Sequence, residues 1–360
     1  MTSPDIVATL SPLPSPDVLE QRWRTLEQRS DSSFFLSWTW IGSWLQSYDV
    51  RPELLSISRD GQDIALALTG SGRQSRLLGA VPALWINQSG IVGADRPFIE
   101  YNGLLAAHDD MNAACEAAMQ FISARSGWRI LQLAGVEPDS PMLRHGEFRR
   151  RTMVDESPAY MAELDKVRAA NGDYLSLLSS NTRSQIKRSV KDYGGALPEV
   201  AIASASDIAP WIAEMRALNA GRHADNAWDD DGFVRFAETI AANGLHDGNV
   251  ELLRLTSDSG GVTGLLLNFI HGGRAMNYQS AFADPLTPKA KPGLMCHAAA
   301  VAHYAGRGLD AYSFLAGKDR YKQSLSTTSE TLQWWTLERF SPRLEIEALL
   351  RRLLKRPASA

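Results

Sequence analysis

A cluster of polar side chains follows one predicted strand near the C-terminal end of the chain. The largely apolar run Leu309–Leu315 predicts a short buried strand, and Gly317 follows it. The next positions are occupied by Lys318, Asp319, Arg320, Tyr321 and Lys322. A strand that delivers such groups at its C-terminal end is a common way to build a site in an α/β domain. This turn is therefore the first candidate for a functional site.

A second group of charged residues lies on a helix predicted in the middle of the chain. Arg183, Lys187 and Lys191 fall at positions i, i+4 and i+8 of this helix. Like charges at this spacing destabilise an isolated helix by about 0.2–0.5 kcal/mol per pair. An anionic partner would relieve that repulsion, and a solvated surface face is the alternative interpretation.

The composition bounds the class of protein. The chain has 360 residues, of which 44% are hydrophobic and 22% charged, and its formal net charge is −4. These values predict a globular protein and argue against a general nucleic-acid binder, although a local basic patch remains compatible with them. We find no signal-peptide pattern and no apolar run long enough to span a bilayer, so we predict a cytoplasmic protein.

The order of predicted elements is similar in the two halves of the chain. Glu53–Ser58 and Asp63–Thr69 predict a hairpin, as do Val250–Thr256 and Val262–Ile270. In each half, helices precede the hairpin, and a helix and a final strand end the half. Between them lie the strand-like pieces Ser75–Leu84 and Pro97–Leu105 in the first half and the strand Arg274–Phe282 in the second. This order indicates a duplicated fold of the α/β class with mixed sheets. The predicted boundaries are a flexible N-terminal arm at 1–16, domains at 17–165 and 166–340, and a C-terminal helix at 341–360.

Four segments, taken in chain order, resemble a known family. They are the aromatic stretch Phe34–Trp44, the basic helix Arg183–Gly194, the segment Met276–Pro285 with Lys291-Pro292-Gly293 after it, and Gly308–Phe314 with the turn Gly317–Lys322. Together they resemble the CelD/BcsL-type acetyltransferases, a BioF2-like branch of the GNAT superfamily that is related to the FemAB aminoacyltransferases. The resemblance implies tandem GNAT-like domains in a FemAB-like architecture, an acyltransferase activity, and an acyl donor held by the C-terminal half.

The helix predicted from Pro292 onward is the expected binding site for an acyl-CoA or acetyl-CoA donor. The N-terminus of a helix attracts a pyrophosphate, because unpaired N–H groups and the positive end of the dipole meet there. Pro292 suits the first helical turn, and the predicted donor-binding residues around it are Lys289, Lys291, Gly293 and Leu294. An ordinary solvated loop before a helix is the alternative.

The segment before this helix lacks the usual GNAT loop R/Q-x-x-G-x-G/A, since it reads Thr287-Pro288-Lys289-Ala290-Lys291-Pro292-Gly293. Fem-type relatives use aminoacyl-tRNA, and the basic central helix would suit that donor as well. Arg183 and Lys187 are therefore predicted donor-binding residues with either donor.

Acyl transfer to an amine is helped by particular side chains, which act as bases and proton donors. The amine must lose a proton as it attacks the carbonyl, so a base helps. We predict His223 as this base and Asp225 as the residue that orients it; a surface-loop histidine is the alternative. Tyr278 and Tyr321 are predicted proton donors to the leaving thiolate, although a buried strand tyrosine with a satisfied hydroxyl is an equal alternative for Tyr278.

The remaining candidates bind substrates. Lys318 and Lys322 are predicted to bind donor phosphate or an anionic acceptor, and Asp319 the incoming ammonium; surface salt bridges are the alternative. Trp38 is predicted to lie on the acceptor side, which the N-terminal half shapes.

No metal site and no nucleophile elbow are predicted. His297 and His303 are six positions apart on one predicted helix, so they point to different faces. The two cysteines, Cys115 and Cys296, fit neither a zinc pattern nor a disulfide framework, and no G-x-S-x-G motif occurs.

The sequence thus predicts an N-acyltransferase that uses acyl-CoA and acts on the amine of a small molecule, a sugar, an amino acid or a peptide. The alternatives are a Fem-like transferase that uses aminoacyl-tRNA and a non-catalytic accessory protein in polysaccharide or natural-product assembly.

Overall fold

The structure is a computed structural model that describes residues 6–222 and 224–354, without the side chains of Arg352 and Leu354. Its strands are β1 (Ile6–Pro12), β2 (Glu53–Arg59), β3 (Gln62–Gln74), β4 (Val81–Ile86), β5 (Leu105–Ala106), β6 (Ile130–Val136), β7 (Arg150–Glu163), β8 (Glu199–Ile202), β9 (Val250–Thr256), β10 (Val262–His271), β11 (Arg274–Phe282), β12 (Ala311–Ala316) and β13 (Thr328–Glu338). Its α-helices are α1 (Pro16–Glu27), α2 (Trp38–Ser47), α3 (Met111–Ala124), α4 (Leu164–Ala169), α5 (Ser180–Asp192), α6 (Ile208–Asn219), α7 (Asp231–Asp247), α8 (Pro292–Gly306), α9 (Arg320–Leu325) and α10 (Pro342–Leu354).

The described residues divide into two compact units. The first unit holds the residues up to Ile41, Asp49–Glu156 and those from Gln333 onward; the second holds Gly42–Tyr48 and Ser157–Leu332. Our predicted domains were continuous segments, whereas both units are discontinuous in sequence.

The first unit contains a mixed sheet in the order β1-β2-β3-β4-β6-β13. All neighbours are antiparallel except β4 and β6, which run parallel. Helix α3 packs its apolar face, with Ala118, Met119 and Ile122, against buried residues of the strands such as Leu55 and Leu133. The spacing of these helix residues is that of an amphipathic helix, and their burial holds α3 on the sheet.

The second unit repeats this pattern in the order β8-β9-β10-β11-β12-β7. Here the parallel pair is β11 and β12, and the other neighbours are antiparallel. In both units the parallel strands are joined through one long helix, α3 or α8, as a parallel connection requires. The mixed-sheet α/β class is therefore confirmed.

The strand that completes each sheet comes from another part of the chain. The later part of β7, which follows β6 in sequence, pairs with β12, and the later part of β13, which follows β12, pairs with β6. The return of β13 explains why the first unit includes residues from Gln333 onward, whereas the second unit is discontinuous because it includes Gly42–Tyr48 of α2.

The described part of the predicted N-terminal arm contains a strand rather than a flexible segment. Ile6–Pro12 forms β1 and pairs in antiparallel register with Glu53–Arg59 of β2. Ile6, Ala8 and Leu10 pack against the core of the first unit, so alternate side chains hold the strand in place.

Helix α8 is enclosed by the second unit. Ten of its residues are buried, including the run from Met295 to Val301. It packs against the α4 and α5 helices and against strands β10, β11 and β12. A helix that is apolar on all sides is one that lies inside a domain, and this position brings its first turns beside the sheet.

Candidate active site

Strands β11 and β12 are paired over only part of their length. Their parallel register comprises Arg274 with Ala311, Ala275 with Tyr312, and Met276 with Ser313. β11 continues to Phe282 and β12 to Ala316 beyond the last of these pairs. A gap in the ladder therefore opens at the carboxyl ends of the two strands, which is the usual position of a ligand site in a parallel sheet. We call residues 277–282 and 314–316 the strand gap.

Both strands are irregular at the strand gap. The register of β11 with β10 shifts between Leu267 and Asn268, so that Tyr278 is the extra residue of a β-bulge. The register of β12 with β7 shifts between Ser313 and Ala316, and Leu315 has a φ of 60°. A leucine in the left-handed region is an outlier, and such strain often accompanies functional sites.

Helix α8 begins next to the strand gap. Lys291 is its N-cap residue but makes no side-chain capping hydrogen bond, and Pro292 takes the first helical position. The first helical hydrogen bond joins Met295 N–H to the Lys291 carbonyl at 3.3 Å. The N–H groups of Gly293 and Leu294 thus belong to the helix start, where donors have no partner within the helix. Lys289 and Lys291 are exposed beside them.

Gly293 has a packing role that the sequence did not reveal. A Cβ atom at this position would lie 3.0 Å from the Phe282 ring. Glycine thus lets the first turn of α8 approach the end of β11, and the predicted close approach of a ligand is not its only explanation.

Helix α5 anchors the loop between β11 and α8. The Lys291 N–H donates to the Ser189 hydroxyl at 2.8 Å, and the Thr287 hydroxyl donates to the Asp192 carboxylate at 2.9 Å. The Leu286 N–H donates to the Tyr193 hydroxyl at 3.2 Å. The basic helix and the start of α8, which the sequence analysis treated as two candidate sites, are therefore neighbours.

The basic face of α5 borders a groove. Lys187 and Lys191 are exposed, whereas Arg183 folds back and donates to the Leu178 carbonyl at 3.1 Å. The groove has a volume of about 470 Å³ and is lined by Leu175, Lys187, Val190, Lys191, Gly195 and Leu197. Two lysines above an apolar floor suit a ligand with both anionic and apolar parts.

The turn after β12 lies against α8. Tyr321 stacks on His297 with ring centroids 5.8 Å apart and an interplanar angle of 15°. The Lys322 ammonium donates to the Ala316 carbonyl at 2.7 Å, so this lysine closes the turn that it follows.

Lys318 and Asp319 are exposed, and Tyr321 is 39% exposed. Partial burial raises the pKa of Tyr321 to about 12, and the negative charge of Asp319 adds to this rise, so the phenol keeps its proton at neutral pH.

Tyr278 lies in different surroundings from Tyr321. Its ring stacks on Phe269 at 4.8 Å and contacts Phe233 and Phe236 of α7. The structure therefore places one predicted proton donor against α7 and the other against α8.

Three further predicted residues remain to be described. His223, the predicted base, lies outside the described residues. Asp225 is exposed in the following turn, and the neighbouring Arg222 forms an ion pair with Asp284 at 2.9 Å. Trp38 belongs to the first unit, where its side chain is buried beside Trp23 and its backbone N–H donates to the Glu27 carboxylate at 3.1 Å. Their roles stay predictions.

His297 is a residue that the sequence analysis missed. It is fully buried and lies among rings from the strand gap and α9: Phe282 at 5.6 Å, Phe314 at 5.3 Å and Tyr321. Burial lowers the pKa of its imidazole to about 3, and the charge of Lys322 contributes. The imidazole is therefore neutral at physiological pH. The signal in the sequence was a histidine between apolar residues in the first half of a helix.

A buried polar network under the strand gap was also missed. Asn277 of β11 donates to the Asn268 side chain at 2.9 Å, Asn268 donates to the Tyr304 hydroxyl at 3.1 Å, and Tyr304 donates to Glu251 at 3.0 Å. Buried polar groups satisfied in this way fix one arrangement of the strands. Two asparagines inside apolar strands were its signal.

Across residues 6–222 and 224–354, no three histidine, cysteine, aspartate or glutamate side chains are grouped so as to hold a metal ion. Within the same ranges, none of the helices combines the length and hydropathy that a bilayer crossing requires.

Comparison with known proteins agrees with this architecture. Residues 180–323, which include the whole of α5, α8 and the strand gap, match the family model described as an acetyltransferase (GNAT) domain. No curated protein matches the chain.

Solved structures resemble nearly the full length of the chain. FemX has a TM-score of 0.56 and 11% sequence identity, with 94% of this chain and 98% of that one covered. The C-terminal domain of a putative lysylphosphatidylglycerol synthetase from Agrobacterium fabrum has a TM-score of 0.57 and 11% identity, with 94% and 97% covered. L-PGS from Bacillus licheniformis has a TM-score of 0.55 and 10% identity, with the same coverage.

Such low identities establish the fold alone. Two units with the same strand order, a GNAT domain match over 180–323 and the full-length likeness to FemX agree with one another. The chain has the tandem GNAT-like, FemAB-like fold, and residues 180–323 of its second unit match an acetyltransferase (GNAT) domain.

Proposed function

We propose that the protein is an N-acyltransferase that transfers an acyl group from acyl-CoA to the amine of a small-molecule, sugar, amino-acid or peptide acceptor. The observation that carries this proposal is the position of the strand gap, which opens beside the uncapped start of α8 within the matched GNAT domain. Within this activity we favour the CelD/BcsL type, on the four segments described above. A cytoplasmic location stays a prediction.

The donor pyrophosphate binds at the start of α8 in this proposal. The N–H groups of Gly293 and Leu294 point to the anion, and the helix dipole and the charges of Lys289 and Lys291 attract it. The thioester arm then extends into the strand gap, towards Tyr321.

The chemistry is a direct transfer. The acceptor amine forms a C–N bond to the thioester carbonyl carbon, the C–S bond breaks, and the amine gives up one proton to a base, for which His223 remains our candidate. Tyr321 donates a hydrogen bond to the departing sulfur. Because the pKa of Tyr321 is about 12 and that of a thiol is roughly 8.5, complete proton transfer from the phenol would be uphill, and a hydrogen bond to the thiolate is the more favourable role.

The effect of acetyl-CoA on the melting temperature tests whether the protein binds an acyl-CoA donor at the start of α8. Acetyl-CoA at about 100 times its Kd stabilises the native state by about 2.7 kcal/mol, which for a chain of this size raises the melting temperature by about 4 °C. We expect this rise for the wild type and its loss in the Lys289→Glu/Lys291→Glu variant, because the reversed charges repel the phosphates. Lys166→Glu, an exposed lysine on α4 in the same unit, is the matched control. An equal rise in the double variant would contradict the site.

A second candidate is a transferase that takes its acyl group from aminoacyl-tRNA. The exposed Lys187 and Lys191 on α5 favour it, because such a row of cations can follow a phosphate backbone. If acetyl-CoA gives no rise in melting temperature, while salt-sensitive tRNA binding is lost in Lys187→Ala/Lys191→Ala, the second candidate replaces the first.

A further inference from the structure

The buried imidazole of His297 makes only one hydrogen bond in the described part of the chain. Its Nδ1 atom lies 3.0 Å from the Tyr312 hydroxyl. Its Nε2 atom is buried and has no hydrogen-bond partner among residues 6–222 and 224–354. Buried polar side chains in native proteins are nearly always paired, so the Nε2 atom requires an explanation.

The hydrogen bond between Nδ1 of His297 and the Tyr312 hydroxyl determines which imidazole nitrogen carries the proton. The Tyr312 hydroxyl is itself fully buried, and His297 Nδ1 is its hydrogen-bond partner within the described residues. If the hydroxyl donates to Nδ1, its proton is satisfied and the imidazole proton must reside on Nε2. The opposite tautomer would leave both the phenolic proton and the Nε2 lone pair without partners. We therefore assign an N–H donor at Nε2.

This donor lies at the strand gap. Its ring is bordered by Phe282 of β11, Phe314 of β12 and Tyr321 of α9. Tyr321 is the most exposed of these three side chains and covers the imidazole from the solvent side. A ligand arm that enters the gap meets Tyr321 first and His297 beneath it.

We propose that His297 is a binding residue for the acyl donor, whose Nε2–H group donates a hydrogen bond to a carbonyl oxygen of the acyl-thioester arm. This inference rests on the proposed use of acyl-CoA. The arm contains carbonyl oxygens in its thioester and in its amides, and both accept such a bond. A neutral imidazole in an apolar wall binds a carbonyl without demanding a counter-charge.

Two variants of His297 separate the contribution of its hydrogen bond to donor binding from the contribution of its ring packing. His297→Phe keeps a flat ring in the wall but removes the donor, and we expect it to weaken acetyl-CoA binding about tenfold, the loss typical of one buried donor. His297→Gln places an amide N–H near the former Nε2 position, and we expect it to recover most of the affinity. Isothermal titration with acetyl-CoA and with free CoA measures both. A loss for acetyl-CoA alone identifies the thioester carbonyl, whereas equal losses identify an amide of the arm.

Nitrogen NMR measures the tautomer of His297 in the wild type, so the result does not depend on whether the variants fold. With ¹⁵N-labelled histidine, we expect the free protein to show the Nε2–H tautomer of His297 and acetyl-CoA to shift the Nε2 resonance more than Nδ1. An Nδ1–H tautomer, or an unshifted Nε2 with undiminished binding by His297→Phe, would overturn the inference and leave the proposed function standing. A wild type that binds neither CoA nor acetyl-CoA would overturn both.

Discussion

Replacement of Tyr321 by phenylalanine is expected to lower kcat about 100-fold, within the range typical of one lost acid–base or hydrogen-bonding group. The KM for acetyl-CoA should change little, because the phenol acts on the departing sulfur rather than on the bound donor. The pKa of Tyr321 is raised to about 12, so the hydroxyl stays protonated and the loss should be the same from pH 6 to pH 9. The measurement is the rate of thiol release from acetyl-CoA with the best acceptor from a panel of amino sugars, amino acids and short peptides.

Variants of two other tyrosines provide comparisons for Tyr321→Phe. Tyr160→Phe is the control, because Tyr160 packs against the core of the second unit and its hydroxyl makes no hydrogen bond within the described residues. Tyr278→Phe tests the second predicted donor, which packs against α7. Loss of kcat in Tyr278→Phe with full kcat in Tyr321→Phe would reverse our assignment.

Removal of the buried Glu338 carboxylate is expected to destabilise the first unit by about 3 kcal/mol, the lower end of the usual effect of removing one partner of a buried ion pair, because its two arginines are only partly buried. Glu338 is 3% exposed and pairs with Arg76 at 2.6 Å and with Arg150. Arg76 also pairs with the buried Glu347 of α10 at 3.2 Å, so the change weakens the attachment of α10 as well. Urea unfolding of Glu338→Ala against the wild type measures the free energy of unfolding.

Glu20→Ala provides the comparison. Glu20 forms an exposed pair with Arg24 one turn along α1, and such pairs contribute about 0.3–0.5 kcal/mol. If the two variants lose equal stability, the buried network does not hold the unit together.

Elements with strong local signals could be predicted from the sequence. The β2–β3 hairpin follows from Asp60-Gly61, whose φ values of 51° and 79° are those that a tight hairpin turn requires. The start of α8 follows from Pro292, and the end of β12 from the polar turn at Gly317. In each case the residues that set the backbone are adjacent in sequence.

Elements that depend on pairing with residues far away in the sequence could not be predicted from it. β1 lies in a segment rich in proline and serine and becomes a strand by pairing with β2. The segment Arg150–Glu156 is mostly exposed, so its part of β7 carries no alternation of buried and exposed side chains. The predicted strand Pro97–Leu105 is reduced to Leu105–Ala106, with Tyr101 at a φ of 47°. Tertiary pairing outweighs local preference at such positions.

The same distinction applies to the candidate site. The residues around Lys291 and Tyr321 were predicted one by one, but their common position beside the strand gap depends on the packing of α8 against the sheet. His297 was considered only as a metal ligand, because helical spacing cannot show that Tyr312 and Tyr321 meet it.

Hydrogen exchange with and without acetyl-CoA tests the central claim most directly, because it locates the donor on the chain. We predict slower exchange at the amides of 290–297, which include Gly293 and Leu294, and at 316–322, with little change in the first unit. Exchange that slows only in the groove at 187–197, only in the first unit, or nowhere would contradict a donor site at the start of α8.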